Sequence, residues 1–433
     1  MIQRWGRDPF RTGLERAVED AARRALATST TPGLAVALVH GGQMVWAAGY
    51  GLADPTTCQP VMATTRFQAA SLAKPVCAWG VLRLVERGRI GLDEPMVGHL
   101  RRWRLPPSRF NADGLTVRRL LSHTAGLSVH GYAGQTPDRP LPSIAASLSG
   151  EADGSFPVEL LEAPGRRWLY SGGGYSVLQL LVEELTGRLF ADVMQTEILD
   201  ALGMTTSSFQ WHRTAATACP HDADGGRIPK FCFAEQAAAG LVTTAAELAR
   251  FVAAALPGPE GEPPGRGVLS PAGVRLALTA APATDGRWGL GYGLGLTPSG
   301  DRLAYHEGAN RGWRAGLALL PDRGAGIVLL ANGDDGSAPI DAVVQQWIAL
   351  TTPNPKYRRL RAAVLAIPAV AAVTALGLAA RRRTQVEGWR PPGTLTAFAT
   401  ATRLWRGGGP RGRGGARPGS CPGGRPGRPR RPG

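Results

Sequence analysis

The order of apolar patterns along the chain predicts an α+β fold: an antiparallel sheet built from both ends of the folded part, flanked by helices, with a mostly helical insert between. Three observations carry this. Residues 33–39 and 43–50 are β-rich runs on either side of Gly41-Gly42, which reads as a hairpin. Apolar residues then recur at helical spacing over 72–88, 176–187 and 245–255. Finally, 312–320 and 324–331 read as buried strands joined by Pro321-Asp322-Arg323. The folded unit is expected over 1–352, with its sheet part at about 15–65 and 235–350, its helical part at about 66–234, and a site at the seam.

Taken from the N-terminus, Arg4, Arg7 and Asp8 stand where a secretory signal needs an apolar run, so no signal peptide is visible. Residues 33–53 carry no Lys, Arg, Asp or Glu, yet the diglycine divides them into two strands rather than one span. Pro/Gly-rich stretches at 131–142 and 256–267 read as surface loops. A chain of 433 residues buries a core without a metal or disulfide staple, and five scattered cysteines make no disulfide framework.

The formal charge of +16 belongs to the C-terminal part. From Pro353 onward there are 17 Lys and Arg against Glu387 alone, which leaves 32 basic and 32 acidic residues before it. The folded unit is therefore neutral, and no nucleic-acid partner is expected for it, because counterion release needs clustered basic groups. Within 353–383, nineteen uncharged residues at 362–380 lie between basic flanks and read as a candidate membrane span. Of the last 27 residues, 24 are Gly, Arg or Pro, so 384–433 is expected to form a disordered tail. These features predict a single-pass protein of the cell membrane, with the cytoplasm as the alternative.

Chemistry is concentrated in three stretches. Ser71-Leu72-Ala73-Lys74 precedes a helix whose start is fixed by Pro75, a residue tolerated only in the first turn. A spacing of three brings the Lys74 amine within reach of the Ser71 hydroxyl, and the helix dipole disfavours an ammonium there. As sole base Lys74 needs its pKa moved from about 10.4 toward 7, a differential of about 4–5 kcal/mol, so a partner is expected. Tyr170 opens the Gly-rich turn Tyr170-Ser171-Gly172-Gly173-Gly174-Tyr175 and can share a proton with Lys74. His306-Glu307-Gly308-Ala309 comes directly before a strand, where His306 can bind a substrate carboxylate or move protons and a backbone amide can help hold an oxyanion.

These stretches, in this order, resemble the class C β-lactamase and D-alanyl-D-alanine carboxypeptidase family of serine hydrolases, which are related to penicillin-binding proteins. PGLAVALVHGGQMVWAAGYGLAD from Pro32, LLSHTAGL from Leu120, AAGLVTTAAELARF from Ala238, WGLGYGLG from Trp288 and GAGIVLLAN from Gly324 fit the same family, so the likeness covers about 15–350. The resemblance implies a β-lactamase/transpeptidase-like fold in which Ser71 is acylated, Lys74 is its proton partner and Tyr170 is the general base. It further implies an oxyanion hole from the Ser71 and Ala309 amides, with Gly172, His306 and Gly308 toward the substrate. Two residues depart from the family pattern. Gly172 stands where members often carry an amide-binding Asn, and His306 where β-lactamases of this class carry Lys, so the permanent anchor for a lactam carboxylate is weakened.

No nucleophile elbow surrounds Ser71, whose neighbours are Ala69 and Ala73, which disfavours an α/β-hydrolase. Gly289, Gly291, Gly293 and Gly295 do not fit a dinucleotide fingerprint and read as a glycine-rich strand. His212, Cys219, His221 and Cys232 are irregularly spaced in a loop, so no metal and no cofactor are expected. His123 reads as a cap or turn at a helix end, with a catalytic role as the lesser alternative. The expected function is hydrolysis of a small amide or ester through an acyl-enzyme, on a D-amino-acid peptide or a β-lactam. The partner is thus a small-molecule or peptide substrate, and oligomeric state is left open. The rival is a non-catalytic envelope module that binds peptidoglycan fragments or lactams.

Overall fold

Gly41 and Gly42 take φ of 58° and 65°, which the two-residue turn between β1 (Gly33–His40) and β2 (Gln43–Asp54) demands. A computed structural model describes residues 9–151, 156–210 and 217–352. The expected span at 362–380 and the tail at 384–433 lie outside the described residues. Among those described, no helix is long and apolar enough to cross a membrane.

The chain runs α1 (Pro9–Ala27), β1, β2, β3 (Gln59–Pro60), β4 (Phe67–Ala70), α2 (Ala73–Glu86), α3 (Val117–Leu121), α4 (Ile144–Leu148), α5 (Gly172–Thr186) and α6 (Phe190–Met194). It continues through α7 (Gln236–Ala239), β5 (Leu241–Thr243), α8 (Ala245–Ala254), α9 (Pro271–Ala277), β6 (Gly293–Leu296), β7 (Arg302–Asn310), β8 (Trp313–Leu320), β9 (Ala325–Ala331) and α10 (Ser337–Thr351). Seven strands form one antiparallel sheet in the order β3-β2-β1-β9-β8-β7-β6, while β4 and β5 make a separate pair. Leu34 pairs with Ala331 and His40 with Ala325, so the strands from the two ends of the fold meet at the sheet's centre. This is the α+β plan expected from the order of patterns.

The central strands are apolar throughout because both faces are covered. Leu34, Val36 and Leu38 pack with Val18, Ala22, Val343 and Trp347 under α1 and α10. The smaller Ala35 and Ala37 belong to the larger core on the opposite face, with Leu248, Phe251 and Val252 of α8. Helix α2 continues that core and is buried nearly all round, which suits a helix enclosed by others. Its Trp79 ring lies 4.9 Å from that of Phe251.

Three local readings differ from the structure. Residues 302–310, read only as the approach to a strand, form β7. Of the alternating glycines only 293–296 pair as a strand, as β6. Gly172, Gly173 and Gly174 are the first turn of α5 rather than a loop, because Ser171 caps that helix by accepting the Gly174 N–H at 3.0 Å. Helices α8 and α9 also fall within the span expected for the sheet.

Candidate active site

Ser71 follows an irregular strand end. The β4–β5 register skips Ala69, and Ala70 takes φ of 49°, a backbone region that alanine rarely adopts. Ser71 and Leu72 then turn into α2, with the Lys74 N–H donating to the Ser71 carbonyl at 3.0 Å. The nucleophile candidate thus sits one residue before the Leu72 cap. Lys74 Nζ lies 3.0 Å from Ser71 Oγ and donates to the Ala238 carbonyl at 2.7 Å. Its side chain is 2% exposed, enclosed by the rings of Tyr170 and Tyr175 at 5.2 and 5.6 Å from Nζ. Burial with no carboxylate to offset it lowers the Lys74 pKa from 10.5 to about 7.

Tyr170 immediately precedes the Ser171 cap of α5, with its phenol beside the Ser71 hydroxyl. Burial raises that phenol well above its ordinary value, so it keeps its proton at neutral pH. Around it stand the rings of His123 at 4.2 Å, His130 at 4.8 Å, Trp288 at 6.1 Å, Trp168 at 6.2 Å and His306 at 6.3 Å. Ser71, Lys74 and Tyr170 therefore meet at one point.

The third stretch arrives on β7, whose residues alternate between the sheet's faces. Ala304 belongs to the core on the insert side, and His306 and Gly308 share that face. His306 is 2% exposed, and its Nδ1 donates to the Glu307 carbonyl at 2.7 Å, which leaves Nε2 without a proton or a protein partner. Burial, with the Lys74 charge as a second cause, lowers its pKa from 6.5 to about 3. The ring is a neutral acceptor rather than an anchor for a carboxylate. Gly308 faces protein: a Cβ there would stand 2.4 Å from the Ala69 carbonyl oxygen. The Arg311-Gly312 turn makes Asn310 and Trp313 a bonded pair and Ala309 and Arg314 an unbonded one, so the Ala309 N–H points away from β8. Strand β6 pairs only with 302–305, so that amide has no strand partner on its other side.

Gly172 donates its N–H to His130 O at 3.2 Å, and a Cβ there would meet that oxygen at 3.0 Å and the Tyr132 ring at 3.3 Å. The space beside Gly172 is filled by Tyr132, whose hydroxyl is hydrogen-bonded to Ser176 at 2.6 Å. Sequence reasoning missed the Ala238 carbonyl and the Trp168 and Trp288 walls, and it read His123 chiefly as a helix-end residue. The aromatic residues stand in or near quoted stretches, but a backbone carbonyl carries no residue-type signal. Among the described residues no three His, Cys, Asp or Glu are grouped to hold a metal. Cys219 donates to Asp54 and His221 bonds the Asn332 carbonyl.

A family model described as Beta-lactamase matches residues 18–348. Protein flp of Staphylococcus aureus (strain N315) is 23% identical over 317 residues, which are 70% of this chain and 59% of that protein. The chain thus spans less than two thirds of the length of that relative. The octameric penicillin-binding protein homologue from Pyrococcus abyssi has a similar structure, with a TM-score of 0.65 at 22% identity over 79% of this chain and 78% of that one. So does a β-lactamase/D-alanine carboxypeptidase from Pseudomonas syringae, with a TM-score of 0.62 at 18% identity over 78% of this chain and 98% of that one.

Proposed function

The chain belongs to the beta-lactamase family, a family of serine hydrolases, and on that premise we propose that Ser71 is acylated by a small amide or ester and freed by water. One observation carries the proposal. Lys74 is a buried amine with no carboxylate partner, 3.0 Å from Ser71 Oγ, whereas a merely structural buried lysine is expected to be ion-paired.

In this reading Ser71 Oγ bonds to the substrate carbonyl carbon while its proton passes to neutral Lys74 Nζ. The tetrahedral oxyanion is held by the Ser71 and Ala309 amides. The bond to the leaving group then breaks, and the proton reaches that group through the Tyr170 hydroxyl. Water adds to the acyl ester, the carboxylic acid departs and the Ser71 hydroxyl is restored. The resemblance assigns the base to Tyr170, but opposite pKa shifts favour Lys74 as the group that takes the proton and Tyr170 as the group that relays it.

Uncharged esters and amides, including D-amino-acid peptides blocked at the carboxyl end, suit the site better than carboxylate-bearing β-lactams, because neutral His306 offers no cation to a carboxylate and Gly172 no side-chain amide. Ser71→Ala should abolish turnover of a nitrophenyl acyl ester with the circular dichroism spectrum unchanged. Undiminished turnover would remove Ser71 from the mechanism. The Tyr132 ring against Gly172 favours a second reading, a module that binds peptidoglycan fragments without cleaving them. A fluorophosphonate mass shift on Ser71 supports the enzyme, and its absence the binding module.

A further inference from the structure

His123 takes no part in the mechanism just described, yet three contacts tie it to Tyr170. Its carbonyl accepts the Leu169 N–H at 2.7 Å, and its Nδ1 accepts the Ser171 N–H at 3.1 Å. Its ring lies 4.2 Å from the Tyr170 ring, centroid to centroid, with 32° between the planes. One residue therefore holds the backbone on both sides of Tyr170 and one face of its ring.

That arrangement is costly. His123 takes φ of 58°, is 1% exposed, and has no hydrogen-bond partner for Nε2. Such strain persists only where the surroundings over-determine it, and it gathers at functional sites. Because Nδ1 accepts, the single proton sits on Nε2 and the imidazole is neutral. Burial first, and the nearby Lys74 charge second, hold it in that form well below its ordinary range. A neutral ring supports the phenol without placing a second cation beside Lys74. Packing at the end of α3 by itself requires neither the bond to Ser171 nor the stacking on Tyr170.

We infer that His123 is a positioning residue, which fixes the Tyr170 hydroxyl against Ser71 by bracketing the Tyr170 backbone and stacking on its ring. The inference rests on the serine-hydrolase reading. His123→Gly and His123→Asn both accept a positive φ, so they compare the side chain without backbone strain. Asn keeps an acceptor for the Ser171 N–H, and glycine keeps none. With a nitrophenyl acyl ester, H123G should lose about 100-fold in kcat with KM within about twofold, the loss expected from displacing a reacting group by about 1 Å. H123N should recover about tenfold or more of that loss, as the acceptor returns.

Wild-type kcat in H123G, or equal losses in both variants, would overturn the positioning role. If H123G melts below the assay temperature, H123N alone decides: a loss within about tenfold supports the inference, and the full loss of about 100-fold overturns it. Fluorophosphonate labelling separates the two layers. An unlabelled wild-type Ser71 sinks the hydrolase reading and this inference with it, whereas a labelled wild type beside an undiminished H123G sinks this inference alone.

Discussion

Lys74 at neutral pH is divided between ammonium and amine, since burial has brought its pKa to about 7. Only the amine can take a proton from Ser71, so kcat/KM for a neutral ester should climb about tenfold per pH unit below pH 7 and level above it. A pH–rate profile checks this, and an acid limb centred near 4 to 5 would transfer the base role to a carboxylate. Of the site, the serine–lysine spacing and the tyrosine before the glycines were legible because side-chain identity and interval state their chemistry. His123 was not, because its contribution lies in a left-handed backbone and a ring direction that no interval encodes. The Ala238 carbonyl was hidden for the same reason, as every residue has one.

Strand β7 works at the next scale by touching β4. Gly308, one residue before Ala309, lets it approach the carbonyl of Ala69, two residues before Ser71. Gly308→Ala must push these elements apart, since its Cβ would stand 2.4 Å from that oxygen. The expected result is a fall of about 100-fold in kcat/KM, the effect of a displacement near 1 Å, measured alongside the melting temperature. Unchanged kinetics in a folded variant would show that the oxyanion does not need this approach. The hairpin at Gly41-Gly42 and the helix after Pro75 could be read directly, because turn and first-turn chemistry are local. Strand β7 could not, since its small and polar residues suit a pleated surface only once β8 and the core supply the neighbours. The helical state of Gly172 to Gly174 likewise comes from the Ser171 cap and not from glycine's own preference.

At the scale of the whole molecule, the face of the sheet opposite the site holds an unusual pair. Glu307 on β7 is raised to about 8 by burial and then by Asp341 of α10, which burial raises to about 7. One Asp341 oxygen is buried without a partner. Both folded values exceed the ordinary 4.5 and 3.8, so folding takes up protons. Their stabilisation is complete below about pH 4 and is lost as pH rises toward 8. The Lys74 contribution has the opposite slope above about pH 7, and the buried neutral His123 and His306 have it below about pH 6.5, so the carboxylate pair shows as a difference in slope between wild type and a variant lacking one of its members. Between about pH 5 and 7, Asp341→Asn should gain melting temperature relative to wild type as pH rises in calorimetric scans, and a constant difference would exclude the pair as a pH-sensitive element.

The pairing of β1 with β9 has a consequence for synthesis as well as for the finished fold. A nascent chain makes its first hairpin early, yet that hairpin's inner edge has no neighbour until residue 331 leaves the ribosome. For most of translation an apolar strand with an open edge has to be kept from other chains, a burden that falls on chaperones rather than on any local feature of the polypeptide.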